Sequence, residues 1–165
     1  MNGHRIRRIT LRNWHKWSRT TMRTLRTVLP KETWISEHTM RAIFHDGNYA
    51  AYLATVDNMF AGFAIGFFWN FDDEPEIAAI GDAKIFHLCF NIIAPEFQGQ
   101  GIGQALIERR VREAAQRGAR TCTCFARTGA SLHNLQKLGG EIIGTRENYH
   151  KSGETFHIVR LNIPH

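Results

Sequence analysis

Acidic side chains are missing from the first 31 residues, which hold nine Lys or Arg. The remaining chain carries twelve basic and fifteen acidic residues, so the net charge of +6 is a local surplus. A surplus of that kind does not by itself mark a nucleic-acid binder. No apolar stretch is long enough to span a bilayer, so no membrane partner is expected. The basic N-terminus is followed by no continuous apolar segment, so a secretory signal is not expected either. Cysteine is scarce: Cys89, Cys122 and Cys124 are odd in number, lack paired metal-ligand spacing and lie inside apolar runs. Free buried thiols in a reducing cytoplasm are the expectation, with no metal. Repeats, low-complexity tracts and linkers are also lacking, which leaves one domain over residues 1–165.

What is present reads as alternating strands and helices. "HRIRRITL" suggests a first strand, and Asn13 can cap the helix after it. Trp14, Trp17, Thr21, Leu25 and Val28 share one side of that helix. Arg12, Lys16, Arg19, Arg23 and Arg26 take the other, which makes a basic stripe, and Pro30 ends the helix. "TWISEHTMRAIF" predicts a second helix, closed by the turn "HDGN". "YAAYLATV" and "FAGFAIGFFW" predict a hairpin, followed by an acidic loop, "NFDDEPEIAAIGDA". "KIFHLCFNII" predicts a central strand, and "GIGQALIERRVREAAQRG" a helix stopped by Gly118. "TCTCFA", a short helix in "GASLHNLQKLGG", and the strands "EIIGTREN" and "ETFHIVRLNI" complete the chain. The fourth strand, its helix and the fifth strand form a strand-helix-strand crossover.

The first half of that crossover contains "PEFQGQGIGQAL". A helix start leaves backbone N–H groups unpartnered and carries partial positive charge, and together these form an anion site. Glycine lets a phosphate approach the backbone. No Gly-Lys-Ser/Thr follows, so this is not a P-loop, and the spacing does not fit a dinucleotide fingerprint. Two readings remain on these residues alone: a phosphate cradle, or a turn that only lets the helix pack on the sheet.

Gln98-Gly99-Gln100-Gly101-Ile102-Gly103 resembles the Gln/Arg-x-x-Gly-x-Gly/Ala signature of the GNAT superfamily of acyl-CoA-dependent N-acetyltransferases. It also resembles that family in position, following a strand that ends in Ile93-Ala94-Pro95 and opening a helix. The resemblance covers most of the chain and is most specific at residues 84–117. It implies an α/β fold with a mixed, mostly antiparallel sheet of about seven strands, about four flanking helices and a parallel fourth/fifth strand pair around the cofactor. It implies acetyl-CoA as acyl donor. Asn91, Ile92 and Ile93 would line the pantetheine arm. Gln98, Gly99, Gln100, Gly101, Ile102, Gly103 and Gln104 would hold the pyrophosphate. Aligning on "LQKLGG" puts Thr128 where the family often has Asn, Leu135 where it often has Tyr, and Gly140 where Phe is usual. That tyrosine commonly protonates the departing thiolate. Here the role is empty or filled from elsewhere, and Tyr149 is the candidate, read otherwise as a loop aromatic.

An alkyl amine with a pKa of about 10 is protonated at neutral pH and needs a base before it can attack a thioester. Histone acetyltransferases of this superfamily place a Glu eleven residues before the motif's first Gln; here that position is His87. Strict alternation would set His87, Cys89, Asn91 and Ile93 on one face. His87 is either the base or a core histidine held by a backbone carbonyl. Cys89 has no activating pair beyond His87, which argues against a covalent nucleophile. The expected activity is acetyl transfer to a primary amine, directly in a ternary complex, in the cytoplasm. The alternatives are a CoA-binding regulatory module, or transfer to an RNA-linked or protein amine. A small-molecule amine is the expected partner, nucleic acid is disfavoured because Trp14 and Trp17 point away from the arginines, and a homodimer is a possible assembly. The acceptor pocket is expected from Trp14, Trp17, Trp34, Phe44 and the loops at 72–76 and 149–151.

Overall fold

The computed structural model of the chain describes residues 3–68 and 74–163. Trp69, Asp72 and Asp73, named above in the third strand and the acidic loop, lie outside the described residues.

β1 (Arg5–Arg8) leads into a single helical turn, α1 (Leu11–Trp14), and then α2 (Ser18–Val28). Asn13 does not cap the longer helix. It closes α1 from inside, where its Oδ1 accepts the Thr10 N–H at 2.8 Å. α3 (Glu37–Asp46) starts later than its pattern predicts, because Ser36 provides the cap by accepting the Thr39 N–H at 3.0 Å. β2 (Tyr49–Val56) and β3 (Met59–Phe68) form the predicted hairpin. Its tight turn puts Asp57 and Asn58 at φ 48° and 63°, the geometry that matches strand twist. The acidic loop carries one short helix, α4 (Pro75–Ala78). β4 (Ile85–Ile93), α5 (Ile102–Gln116) and β5 (Thr121–Arg127) make the crossover. α6 (Ala130–Lys137), β6 (Glu141–Arg146) and β7 (Phe156–Asn162) follow.

The seven strands form one sheet in the order β1-β2-β3-β4-β5-β7-β6. Among the described residues only β4 and β5 run parallel; every other neighbouring pair is antiparallel. β2 is buried along its whole length, as a strand covered on both faces must be. Trp14 lies 5.1 Å from Phe44 and 5.6 Å from Phe63, ring to ring. Trp14 and Phe44 are therefore core residues and wall no acceptor pocket, with 1% and 4% exposure.

One irregularity decides how the site is built. β3–β4 pairing runs from Gly62↔Ile93 to Ile65↔Phe90 and resumes at Phe67↔His87. From Phe90 to His87 is three steps on β4, against two from Ile65 to Phe67 on β3. The extra residue is a bulge in β4, and it reverses the face onto which the strand alternates. His87 thus falls on the face of Phe67 and Phe90, opposite Asn91 and Ile93, where strict alternation does not put it. Gly66 stands across from the bulge, where a Cβ would come within 2.5 Å of the His87 carbonyl oxygen.

Candidate active site

β4 and β5 pair at only three positions, Ile85↔Thr121, Phe86↔Cys122 and His87↔Thr123. Beyond them the strands part. A cavity of about 690 Å3 opens there, walled by Asn91 and Ile93 from β4 and by the glycine loop ahead of α5. Arg127 and Thr128 close it from the β5 side, α6 contributes Ser131, Asn134 and Lys137, and Val28 and Leu29 come from the end of α2.

Gly99 and Gly101 take φ of 75° and 77°, which side-chain-bearing residues rarely adopt. A Cβ at either would meet nothing within 4 Å. Packing of the helix on the sheet therefore does not account for these two glycines. The first bond of the helix runs from Ala105 N–H to Gly101 O at 3.1 Å, so the amides of Ile102, Gly103 and Gln104 precede any intrahelical partner. They form the positive end of a 15-residue helix. Asn91 Nδ2 donates to Gly103 O at 3.1 Å and ties β4 to this helix start. That bond fixes the carboxamide's orientation and leaves Asn91 Oδ1 buried without a partner.

Most of the residues expected around a cofactor line the cavity: Asn91, Ile93, Gln98, Gly99, Gly101, Ile102, Gly103, Gln104 and Thr128. Two do not. Ile92 points its side chain into the core at 1% exposure, opposite Phe63. Gln100 turns back to donate to the Glu96 carbonyl at 3.3 Å. Sequence reasoning missed Asn134 and Lys137. Their signal was the helical period, since residues 130, 134 and 137 share the face of α6 that follows Thr128. Leu135, at the position where tyrosine is common in the family, is buried at 1% and offers no donor.

His87 and Tyr149 lie away from the cavity wall. His87 is 5% exposed, with Nδ1 3.2 Å from Thr123 Oγ1 and its ring between Phe67 and Phe125. Burial first, and the Arg110 charge second, push its pKa down to about 3. An imidazole held that low is a poor acceptor for an ammonium proton. These surroundings resemble the packing reading of His87, with the Thr123 hydroxyl beside its Nδ1 where that reading expects a backbone carbonyl. Burial likewise pushes the Cys89 thiol up to about 12, which keeps it a thiol at neutral pH. Tyr149 stacks on Phe125 at 5.0 Å and 14° and packs against Phe156. Its hydroxyl is pushed up to about 12, by burial foremost and then by the charge of Glu74. The loop that carries it is strained: Asn148, His150 and Lys151 all have positive φ. Among the described residues no group of His, Cys, Asp or Glu is arranged to hold a metal ion, and no helix is long and apolar enough to cross a membrane.

Residues 9–145 match the acetyltransferase (GNAT) family. Among curated protein sequences none matches the chain. Solved structures share its fold at low identity. The ribosomal-protein-S18-alanine N-acetyltransferase of Escherichia coli is 22% identical with a TM-score of 0.72, over 99% of this chain and 96% of its own. The polyamine N-acetyltransferase of Drosophila melanogaster is 10% identical with a TM-score of 0.79, over 97% and 100%. A GNAT family acetyltransferase of Elizabethkingia anophelis, solved with acetyl-CoA bound, is 17% identical with a TM-score of 0.67, over 98% and 99%.

Proposed function

The chain belongs to the acetyltransferase (GNAT) family, and on that premise we propose that it transfers an acetyl group from acetyl-CoA to a primary amine, directly, in a ternary complex. The observation that carries the reading is the cavity where β4 leaves β5, with open-spaced glycines and a helix N-terminus at one end. The positive end of α5 and the amides of Ile102, Gly103 and Gln104 suit a pyrophosphate, and the exposed Lys137 adds a cation at the rim. The edge of β4 that β5 leaves uncovered beyond His87 suits an amide-bearing arm that hydrogen-bonds as a strand would. When bound, the thioester supplies an activated acyl group.

The chain's own part is placement and proton handling. Tyr149 is the proposed donor toward the departing sulfur. Its raised pKa keeps it protonated at any pH near neutral, and its ring stacks on Phe125, two residues past the last β4–β5 pair. The amine's proton goes to solvent, because His87 is buried and held neutral. Below the amine's own pKa of about 10, kcat/KM should then rise with pH, and the inflection should move when an amine of different pKa is used. Neighbours named for polyamine and for a ribosomal-protein alanine support an amine acceptor of this kind. A CoA-binding module without turnover is the second reading, favoured by the buried Leu135.

One experiment separates them. Acetyl-CoA is titrated by calorimetry, and the purified protein is incubated with acetyl-CoA and a panel of amines, products being read by mass spectrometry. Binding with a product heavier by one acetyl group supports the enzyme. Binding without turnover supports the module, and no binding overturns both. Tyr149→Phe should lower kcat by about tenfold or more and leave acetyl-CoA affinity unchanged; unchanged kcat would remove Tyr149 from the mechanism.

A further inference from the structure

Arg110 lies on α5 with 0% exposure, and among the described residues no carboxylate pairs with it. A buried guanidinium is costly, and its usual compensation is an acid. Here backbone carbonyls take that place. Nε donates to Leu106 O at 3.2 Å, within the helix. Nη1 donates to Ile65 O at 2.9 Å and to Phe90 O at 3.1 Å. Ile65 and Phe90 form the last residue pair before the β3–β4 register breaks. In a regular ladder both carbonyls point along the sheet toward the neighbouring strand and away from a helix lying over it. Their shared donor on α5 marks the distortion at the bulge.

Gly66 is the complement on the other strand. It lies between Ile65 and Phe67, where β3 has one residue fewer than β4. A Cβ there would stand 2.5 Å from the His87 carbonyl oxygen and 2.5 Å from the Phe86 ring. Both are closer than real Cβ contacts allow, and one of them is backbone. Glycine lets the bulged strand come this near.

The bulge coincides with the parting of the strands. His87 makes the last pair with β5 and the first pair with β3 beyond the break. A bulge adds twist and bends its strand, so it turns Phe90–Ile93 away from β5 at the point where the cavity begins.

We propose that Arg110 and Gly66 are positioning residues that hold the β4 bulge and thereby set the opening between β4 and β5 in which the acyl donor binds. The inference rests on the cofactor reading above for its ligand, but not for its geometry. Loss of Arg110 frees the Ile65 and Phe90 carbonyls, and a Cβ at position 66 pushes the bulged strand off β3; either change shifts β4 beyond the bulge and moves Asn91 relative to Gly103.

The test uses the full chain, coenzyme A as the probe, and the variants Arg110→Met, Arg110→Lys, Gly66→Ala and Met40→Ala. Met40 is fully buried on α3, which meets the sheet chiefly at β2, and serves as a control for plain loss of stability. Circular dichroism and thermal melts check folding, calorimetry reads affinity, and amide exchange by mass spectrometry follows residues 88–91. Arg110→Met and Gly66→Ala are expected to weaken coenzyme A binding at least tenfold and to change exchange at 88–91. Arg110→Lys, which keeps a donor, should recover part of the affinity, and Met40→Ala should lower the melting temperature and leave affinity alone. Wild-type affinity in folded Arg110→Met or Gly66→Ala would overturn the proposal, as would an equal affinity loss in Met40→Ala. If Arg110→Met does not fold, Arg110→Lys and Gly66→Ala decide by the same measures. Should the wild-type chain fail to bind coenzyme A, the cofactor reading falls, and unchanged exchange at 88–91 in the variants would overturn the bulge assignment separately.

Discussion

Asn91 and His87 stand on one strand and, because of one extra residue between them, on opposite faces. Asn91 secures the start of α5, while His87 sits in an aromatic slot against Phe67 and Phe125. Folding makes the His87 imidazole harder to protonate, its pKa falling from an ordinary 6.5 to about 3. Between those values the unfolded chain binds more protons than the folded one, so stability rises with pH. The contribution is complete above pH 6.5 and is lost as the pH falls toward about 3, at no more than about 1.4 kcal/mol per pH unit. Urea unfolding of wild type and His87→Leu at about pH 7 and about pH 4.5 checks this. The wild type should lose more stability across that interval than the variant, and equal losses would count against a buried, neutral His87. The glycine motif was legible in the sequence because positive φ and backbone access are properties of single residues. The face of His87 was not, because nothing in "KIFHLCFNII" distinguishes a bulged strand from a regular one.

At the scale of elements, the legible and the hidden divide along another line. Strand and helix order followed from apolar period and from Pro30, Gly47 and Gly118, whose signals are local. The sign of the bulge, Gly66, lies on a different strand and gains its meaning only once the β3–β4 register is known. Arg110 was nearer to hand: Ile102, Leu106, Arg110 and Ala114 recur at every fourth position of α5, and all four are buried. A cation in that row has to find partners inside the fold, and the period alone announces it. The start of α5 supplies its own prediction. Gly103 has no positive φ, and an added Cβ would stand 3.4 Å from Asn134 Nδ2 and 3.5 Å from Asn91 Nδ2, close to ordinary contact. Gly103→Val should therefore fold, while its branched side chain crowds the helix-start amides and weakens acetyl-CoA binding by about tenfold or more. Calorimetry on the folded variant is the measurement, and unchanged affinity would remove these amides from the binding site.

Across the whole molecule the charge is lopsided. Arg12, Lys16, Arg19, Arg23 and Arg26 are all exposed on α1, α2 and the turn between them, and among the described residues none of the five makes a salt bridge. Trp14 is buried and Arg7 covers the Trp17 ring at 4.9 Å, so neither indole is free to stack on a base. The face lies outside the cavity wall, where α2 contributes only its end at Val28. Changing Arg19, Arg23 and Arg26 to Glu should leave acetyl-CoA affinity within about twofold at physiological salt, where exposed charges are screened. It should slow transfer to an acidic acceptor more than to a neutral one. A large loss of acetyl-CoA affinity would show that this face takes part in holding the donor.

Three rungs join β4 to β5, and the two flanks of the sheet have little other ladder in common. Seen mechanically, the molecule is a book with a short spine: β1 to β4 on one cover, β5 to β7 on the other. The cavity is the gutter between them. Side-chain clasps also join the covers: the Arg127 guanidinium grips the Val28 carbonyl at 3.0 Å, and Arg146 on β6 holds Glu74 at 2.9 Å and Glu76 at 2.6 Å. A ligand that fills the gutter with its own hydrogen bonds acts as a missing strand and lengthens the spine. Its binding should then do more than add stability, which any ligand at a hundred times its Kd does by about 2.7 kcal/mol. It should bring the two covers to unfold together: amide exchange on β5, β7 and β6 ought to slow along with β4 when coenzyme A is added, though most of those residues never touch it.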